Sequence, residues 1–174
     1  MIYYEDAELC IRSLTHADAE KIVAGEIAQG WTDAAIDKYE MRLRDEADGR
    51  AVTLVAVYHG EPCGYVHVYR KATGPFADTG YPEIVDFGVL EKYRRRGIGS
   101  RLMDEAERIA GQLADTVAIG VGLHSGYGSA QRMYVKRGYL PDGSGVWYRD
   151  KVCPPYSTCE NGDALVLHMS KRLR

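Results

Sequence analysis

No apolar run in the 174 residues approaches the roughly 20 residues that a membrane-spanning helix requires. The N-terminus, residues 1–6, has neither the basic nor the apolar region of a signal peptide, so we expect a cytoplasmic protein. The four cysteines form no Cys-x-x-Cys pair, and the five histidines show no metal-ligand spacing. Basic and aromatic residues are not interleaved as they are in nucleic-acid binders. These absences predict a protein without membrane, metal or nucleic-acid partners.

Length and composition are ordinary for a globular protein, with 45% hydrophobic and 27% charged residues. We expect one domain, residues 1–174, with a single core. The charge is uneven, because residues 1–50 hold 12 acidic and 6 basic residues and the remainder holds 13 and 16. The acidic part would favour a cationic partner and the basic part an anionic one. Solvated helix faces are an equally good explanation of the acidic part.

A strand, a basic turn and a helix follow one another in the middle of the chain. Residues 83–90 are rich in branched and aromatic side chains and predict a buried strand. The turn Arg94-Arg95-Arg96-Gly97-Ile98-Gly99 leads into a helix whose apolar face repeats at helical spacing, namely Ile98, Leu102, Ala106, Ile109 and Leu113. A helix N-terminus carries about half a positive charge and favours phosphate. The alternative is a solvated basic turn.

The turn lacks the Gly-Lys-Ser/Thr of a P-loop and the third glycine of a dinucleotide-binding fingerprint. Arg94, Gly97 and Gly99 instead satisfy the pattern Arg/Gln-x-x-Gly-x-Gly/Ala. A second ordered element follows, Ala130-x-x-x-Tyr134-x-x-x-Gly138-Tyr139. On these two motifs the chain resembles the GNAT superfamily of N-acetyltransferases, with Tyr127 where the family tends to carry Asn.

The hydrophobic pattern predicts the element order β-α-α-β-β-β-α-β-α-β-β. Thr15 is predicted to cap the first helix, and Thr32 or Asp33 the second. The resemblance implies an α/β (α+β) fold with a mixed, mostly antiparallel central sheet flanked by helices. It also implies that the fourth and fifth strands of that fold, here ending at Leu90 and near Gly122, splay apart to admit the pantetheine arm.

The resemblance further implies acetyl-CoA as the cosubstrate, with no metal. The backbone N–H of Val89 would hold the thioester carbonyl as a one-member oxyanion hole. The implied cofactor-binding residues come from the strand end, the turn and the later helix: Val89, Leu90, Arg94, Arg95, Arg96, Gly97, Ile98, Gly99, Ser100, Ala130 and Tyr134.

Three side chains are candidates for proton transfer. An alkylammonium must lose a proton before it attacks, so a general base is needed. The resemblance implies Glu83 for this role, because some family members carry a general base at the matching position. If no bulge intervenes, Glu83 and Val89 share a strand face; alternatively Glu83 is solvated or contacts the acceptor. Asp86 is the second candidate base, or an ion-pair partner within an apolar strand. Tyr134 is implied as the acid that protonates the departing thiolate, or it is a packed core aromatic.

The sequence therefore predicts direct transfer of an acetyl group from acetyl-CoA to a primary amine of a small molecule. No cysteine lies in the motifs to act as a nucleophile, which agrees with direct transfer. Three alternatives stay open: another acyl-CoA, a protein or peptide amine, and a non-catalytic acyl-CoA-binding module. The resemblance also allows a homodimer through the last strands. Candidates for the acceptor pocket are aromatic, namely Trp31, Tyr39, Tyr69 and Tyr156. His124 follows the fifth strand and either borders the site or, as is more common for a lone histidine, is structural or exposed.

Overall fold

The computed structural model describes residues 1–31 and 34–174. These residues form a mixed, mostly antiparallel arrangement of strands with four helices, which confirms the predicted fold class, and there are nine strands where the sequence predicted seven. Their contacts divide them into two compact units, Met1–Tyr69 with Val85–Ile109, and Arg70–Ile84 with Ala110–Arg174.

The first unit carries a run of antiparallel strands with two helices inserted after the second strand. Its elements are β1 (Ile2–Glu5), β2 (Leu9–Ser13), α1 (His16–Ala28), α2 (Ile36–Ala47), β3 (Ala51–Tyr58), β4 (Glu61–Tyr69), residues 85–89 of β5 (Glu83–Val89), and most of α3 (Ile98–Leu113). The strands β1, β2, β3 and β4 pair in that order. Between β3 and β4, His59 and Gly60 both have positive φ, which a two-residue hairpin turn of this twist requires.

Local sequence explains the start of α1. Thr15 accepts a hydrogen bond from the N–H of Asp18, and Asp18 accepts one from the N–H of Thr15, which completes the capping box and confirms the predicted cap. Arg12 pairs with Asp18 at 2.6 Å. For α2, Thr32 and Asp33 lie outside the described residues, and the helix begins at Ile36 after an Ala35 N-cap that makes no side-chain hydrogen bond.

The core of the first unit lies where α1 and α2 cover the strands. It contains an aliphatic and aromatic group made of Leu14, Ala19, Ile22, Tyr39, Val55 and Tyr65. The predicted apolar face of α3 is buried at Ile98, Leu102, Ala106 and Ile109, whereas Leu113, at the end of that helix, is 40% exposed.

The second unit is built on Arg70–Ile84, which ends with the first two residues of β5, and on Ala110–Arg174. Its elements are residues 83–84 of β5, β6 (Thr116–Gly122), α4 (Gly128–Lys136), β7 (Leu140–Tyr148), β8 (Lys151–Val152) and β9 (Leu165–Arg172). Glu83 and Ile84 pair in parallel with β6, and β9 pairs antiparallel with both β6 and β7. The short strands β1 and β8 are additions to the predicted order. The predicted splay of the strands ending at Leu90 and near Gly122 stays a prediction.

Within residues 1–31 and 34–174 no helix has the length and apolar character needed to cross a membrane.

Candidate active site

The basic turn meets α3 as the sequence predicts. Arg95 and Gly97 have positive φ, of 64° and 79°, and Arg101 donates its N–H to the carbonyl of Gly97 at 3.0 Å. Gly97 therefore occupies the N-cap position of α3. The N–H groups of Ile98, Gly99 and Ser100 lie before the first backbone hydrogen bond of the helix. Such groups have no acceptor within their own helix and remain available to an anion.

Two residues at the end of β5 anchor this turn. The Nε of Arg94 donates to the carbonyl of Val89 at 3.1 Å, and Arg94 also pairs with Glu91 at 3.3 Å. Leu90 donates its N–H to the carbonyl of Cys63 at 2.9 Å, and its own carbonyl accepts from Tyr93. The N–H of Leu90 is thus engaged within the protein, while Arg95 and Arg96 are exposed at the surface of the turn.

Gly99 has a different role from Gly97. A Cβ at Gly99 would lie 3.0 Å from Cζ of Phe87, whereas nothing lies within 4 Å of a Cβ at Gly97. The first glycine is therefore needed for its backbone conformation, and the second for the close packing of α3 against β5.

Asp86 interrupts β5, because it has a φ of 50° in the middle of the strand. Side-chain alternation requires extended backbone, so the face predicted to run from Glu83 to Val89 does not continue past Asp86. The Nε of Arg42, on α2, donates to Oδ2 of Asp86 at 2.9 Å, and Nη2 of Arg42 contacts the same oxygen. Burial alone would raise the pKa of Asp86, but the charge and hydrogen bonds of Arg42 outweigh it and lower that pKa.

Glu83, the other candidate base, is buried at the start of β5 in the second unit, with 5% of its surface exposed. Its Oε2 accepts from both the N–H and Oγ1 of Thr73, each at 2.9 Å. One carboxylate oxygen thus fixes the loop that precedes the short turn Gly74–Phe76.

Tyr134 is buried on α4, with 4% of its surface exposed, and its ring centroid lies 5.7 Å from that of Tyr139. Burial raises the pKa of Tyr134, so its hydroxyl stays protonated at neutral pH. The start of the same helix is tied to β6, because Nε2 of Gln131 donates to the carbonyl of Gly122 at 2.8 Å. Ala130, one turn before Tyr134, is partly exposed.

Tyr127 covers the end of β6. A Cβ at Gly122 would lie only 2.4 Å from the ring of Tyr127, and the Tyr127 hydroxyl donates to Asp163 at 2.9 Å. His124 accepts from Gly126 through Nδ1, so Nε2 carries the proton that reaches Asp163 at 3.0 Å. These bonds, from His124 first and Tyr127 second, lower the pKa of Asp163. His124 here fixes a loop.

A polar group in the first unit contains three residues that were not predicted as site residues, Glu26, Lys38 and Tyr65, together with Tyr39, a predicted candidate for the acceptor pocket. Oε1 of Glu26, on α1, accepts from the hydroxyls of Tyr39 and Tyr65 at 2.8 and 2.7 Å. Nζ of Lys38 lies 3.8 Å from the same oxygen and donates to the Tyr65 hydroxyl at 3.4 Å. Ile22 is buried and lies one helical turn before Glu26, so helical spacing alone could have placed this carboxylate on the buried face.

His67 lies on β4 beside this group and has no exposed surface, and neither ring nitrogen has a hydrogen-bond partner among the described residues. Burial lowers the pKa of His67 to about 3, which keeps the ring neutral.

Of the four aromatic candidates for an acceptor pocket, Tyr39 is fully buried, and the hydroxyl of Tyr69 accepts a hydrogen bond from Arg42 at 2.6 Å. Trp31 is 37% exposed and Tyr156 is wholly exposed.

The ion pair of Asp86 makes a prediction about stability. Asp86→Asn keeps the size and tolerance for positive φ but removes the charge, so we expect a loss of about 2 kcal/mol in the free energy of unfolding at pH 7. Because the folded-state pKa of Asp86 is lowered, its contribution is present above the unfolded pKa of roughly 4 and is lost as pH falls further. Urea titrations from pH 3 to 8 should therefore show the two proteins converging at low pH.

The exposed pair of Asp48 with Arg50 provides the control, since Asp48→Asn should cost less than about 1 kcal/mol at any pH. A pH-independent difference between wild type and Asp86→Asn would contradict the assignment of the effect to charge.

Solved structures with a similar fold are numerous. Ard1 from Thermoplasma volcanium has a TM-score of 0.70 at 19% identity over 97% of this chain and 99% of its own. The ribosomal-protein-alanine N-acetyltransferase from Brucella melitensis has a TM-score of 0.66 at 17% identity, covering 94% and 99%. An acetyltransferase from Salmonella typhimurium that modifies the N-terminal serine of ribosomal protein L7/L12 has a TM-score of 0.72 at 10% identity, covering 100% of both chains. At these identities the likeness concerns the fold.

A comparison with curated protein sequences found no match. A family model, described as the acetyltransferase (GNAT) family, matches residues 15–139, which is more than half of the chain and includes the turn, β5, α3 and both motifs. The chain therefore belongs to the GNAT family of acetyltransferases, which are acyl-CoA-dependent N-acetyltransferases with acetyl-CoA as their cosubstrate.

Proposed function

We propose that this acetyltransferase transfers the acetyl group of acetyl-CoA directly to a primary amine of a small-molecule acceptor. The observation that carries the proposal is the start of α3, where the positive φ of Gly97 precedes three N–H groups without a helical acceptor, beside a cluster of arginines. This arrangement suits the pyrophosphate of acetyl-CoA, because backbone donors, the helix dipole and fixed positive charge act on the same anion.

The proposed division of labour follows from these positions. Gly97, Ile98, Gly99 and Ser100 bind phosphate through their backbones, and Arg94 to Arg96 supply charge. Val89 donates its N–H to the thioester carbonyl, where negative charge develops during the attack. Ala130 leaves room for the cofactor beside Tyr134. Leu90 contributes apolar surface, because its N–H already bonds Cys63.

We assign the base to Glu83 rather than to Asp86. The guanidinium of Arg42 stabilises the ionised form of Asp86, so this carboxylate is a weak proton acceptor and instead holds α2 to β5. Glu83 retains a second carboxylate oxygen beyond the one that Thr73 occupies. Tyr134, whose raised pKa keeps it protonated, donates the proton that the departing thiolate takes up.

The second candidate acceptor is the amino group of a protein N-terminus. The observation that favours it is the likeness of fold to the ribosomal-protein-alanine N-acetyltransferase of Brucella melitensis and to the Salmonella typhimurium enzyme that modifies the N-terminal serine of L7/L12. The cytoplasmic location and a homodimer stay predictions, as does the single domain.

A panel of acceptors tests the function. We expect thiol release from acetyl-CoA with at least one class among polyamines, aminoglycosides and free amino acids, measured against peptides with free and with blocked N-termini. Turnover with free N-terminal peptides alone would replace the small-molecule proposal by the second candidate. Acetyl-CoA binding without thiol release on the whole panel would favour a non-catalytic binding module.

Gly97 tests the phosphate site. Gly97→Val forces a β-branched residue into positive φ and should distort the turn, so we expect the Kd of acetyl-CoA to rise more than tenfold, or about 1.4 kcal/mol. Gly60→Val is the matched control, since Gly60 also has positive φ and open space around it but lies in the β3–β4 turn. Equal acetyl-CoA affinity of the two variants by calorimetry would remove the turn from the cofactor site. Gly99 is unsuitable for this test because its Cβ would meet Phe87.

Tyr134→Phe tests the proton donor, because it deletes the hydroxyl and keeps the ring. We expect kcat to fall by about 10- to 1000-fold, with little change in acetyl-CoA affinity or melting temperature. Tyr139→Phe removes a hydroxyl from the neighbouring ring and should leave kcat unaltered. If Tyr134→Phe lowers the melting temperature and leaves kcat intact, the hydroxyl has a structural role instead.

A further inference from the structure

Glu26, Tyr39 and Tyr65 surround the ammonium group of Lys38, and we name these three residues the ammonium cage. Nζ of Lys38 lies 4.6 Å from the ring centroid of Tyr39 and 4.9 Å from that of Tyr65. It is also 3.8 Å from Oε1 of Glu26 and donates to the Tyr65 hydroxyl at 3.4 Å. Two aromatic rings and a carboxylate are the groups that attract an alkylammonium most strongly, so the cage has the chemistry of a primary-ammonium site.

The carboxylate of the cage is built into the protein rather than placed at its surface. Glu26 is 1% exposed, and Oε2 is buried without a hydrogen-bond partner in the described part of the chain. A buried carboxylate oxygen left unpaired carries a cost that a second ammonium hydrogen would remove.

Lys38 is held only loosely in this cage. Its side chain is 32% exposed, so it reaches in from the surface, and it lies 3.8 Å from Glu26, beyond hydrogen-bond distance. Lysine gains rotamer entropy when it leaves such a position, which lowers the cost of replacing it by another ammonium.

The cage lies against the strand that is proposed to hold the thioester. A Cβ at Gly88 would be 2.7 Å from Cζ and 2.8 Å from Oη of Tyr65, so this phenol packs directly on the backbone of Gly88. The next residue is Val89. An ammonium held in the cage is therefore close to the segment of β5 that carries the proposed oxyanion donor.

We propose that the ammonium cage of Glu26, Tyr39 and Tyr65 recognises a primary ammonium of the acceptor, and that Lys38 occupies it until the acceptor binds. The inference rests on the proposed function and names the group of the acceptor that is recognised. It predicts that a free alkylammonium of lysine-like shape binds to the cage once the Lys38 side chain is removed.

The binding test uses n-propylammonium, which replaces the atoms that Lys38→Ala removes. We expect it to raise the melting temperature of Lys38→Ala at millimolar concentration, in the absence of acetyl-CoA, at constant ionic strength. The neutral isostere 1-propanol should have no such effect. Lys38→Met, which keeps an apolar stem in the cage, and Lys38→Ala combined with Glu26→Gln should not respond. A loss of stability in Lys38→Ala that n-propylammonium does not restore would make Lys38 a structural ion-pair partner and overturn the proposal.

The kinetic test uses whichever amine the acceptor panel shows to be acetylated, peptide acceptors included. Lys38→Ala should lower the acceptor KM severalfold, because the competing occupant is gone, whereas Glu26→Gln should raise it by about tenfold or more. Tyr65→Phe, which keeps the ring, should change the acceptor KM more than the KM of acetyl-CoA. Stabilisation by n-propylammonium with an unchanged acceptor KM in all three variants would overturn the acceptor assignment, yet acetyl transfer itself would stand.

Discussion

The ion pair of Arg42 with Asp86 joins α2 to β5 at the residue where β5 leaves regular strand geometry. Positive φ at a residue other than glycine costs about 1–2 kcal/mol, and it persists only where contacts compensate for it. Here the compensation comes from the partly buried guanidinium of Arg42, which donates two N–H groups to one carboxylate oxygen of Asp86 and a third to the hydroxyl of Tyr69. This contact sets the direction in which the backbone groups of the following β5 residues point. Val89 is one of these residues.

The polar groups in the core of the first unit are paired by hydrogen bonds as well as by charge. The phenols of Tyr39 and Tyr65 converge on one oxygen of Glu26, and burial raises the pKa of both phenols, so they remain neutral donors. Arg42 and Lys38 both come from α2, and they supply the positive charge that pairs with the half-buried Asp86 and the buried Glu26. Two of the three cations of α2 therefore each pair with an acidic residue of another element, Lys38 with Glu26 on α1 and Arg42 with Asp86 on β5.

The family, the fold class and the cap of α1 could be predicted from the sequence, because motifs, hydrophobic periodicity and capping residues act over a few positions. The interruption at Asp86 could not, since its partner Arg42 is 44 residues away in the chain. The edge strands β1 and β8 are short and lack apolar alternation, so their pairing decides their structure rather than their sequence. Glu26 was overlooked because a glutamate on an amphipathic helix is usually solvated, although its spacing from Ile22 places it on the buried face.

Gly88 and Tyr65 form a pair whose residues cannot vary independently. Any Cβ at position 88 would occupy the space of the Tyr65 phenol, so a larger residue there requires a smaller one at position 65. Loss of that phenol would remove one of the two donors that hold Glu26. Glycine at position 88 and tyrosine at position 65 thus form a two-residue signature. In divergent chains of this fold, the same pair at the equivalent positions would indicate from sequence alone a similar arrangement of phenol and carboxylate.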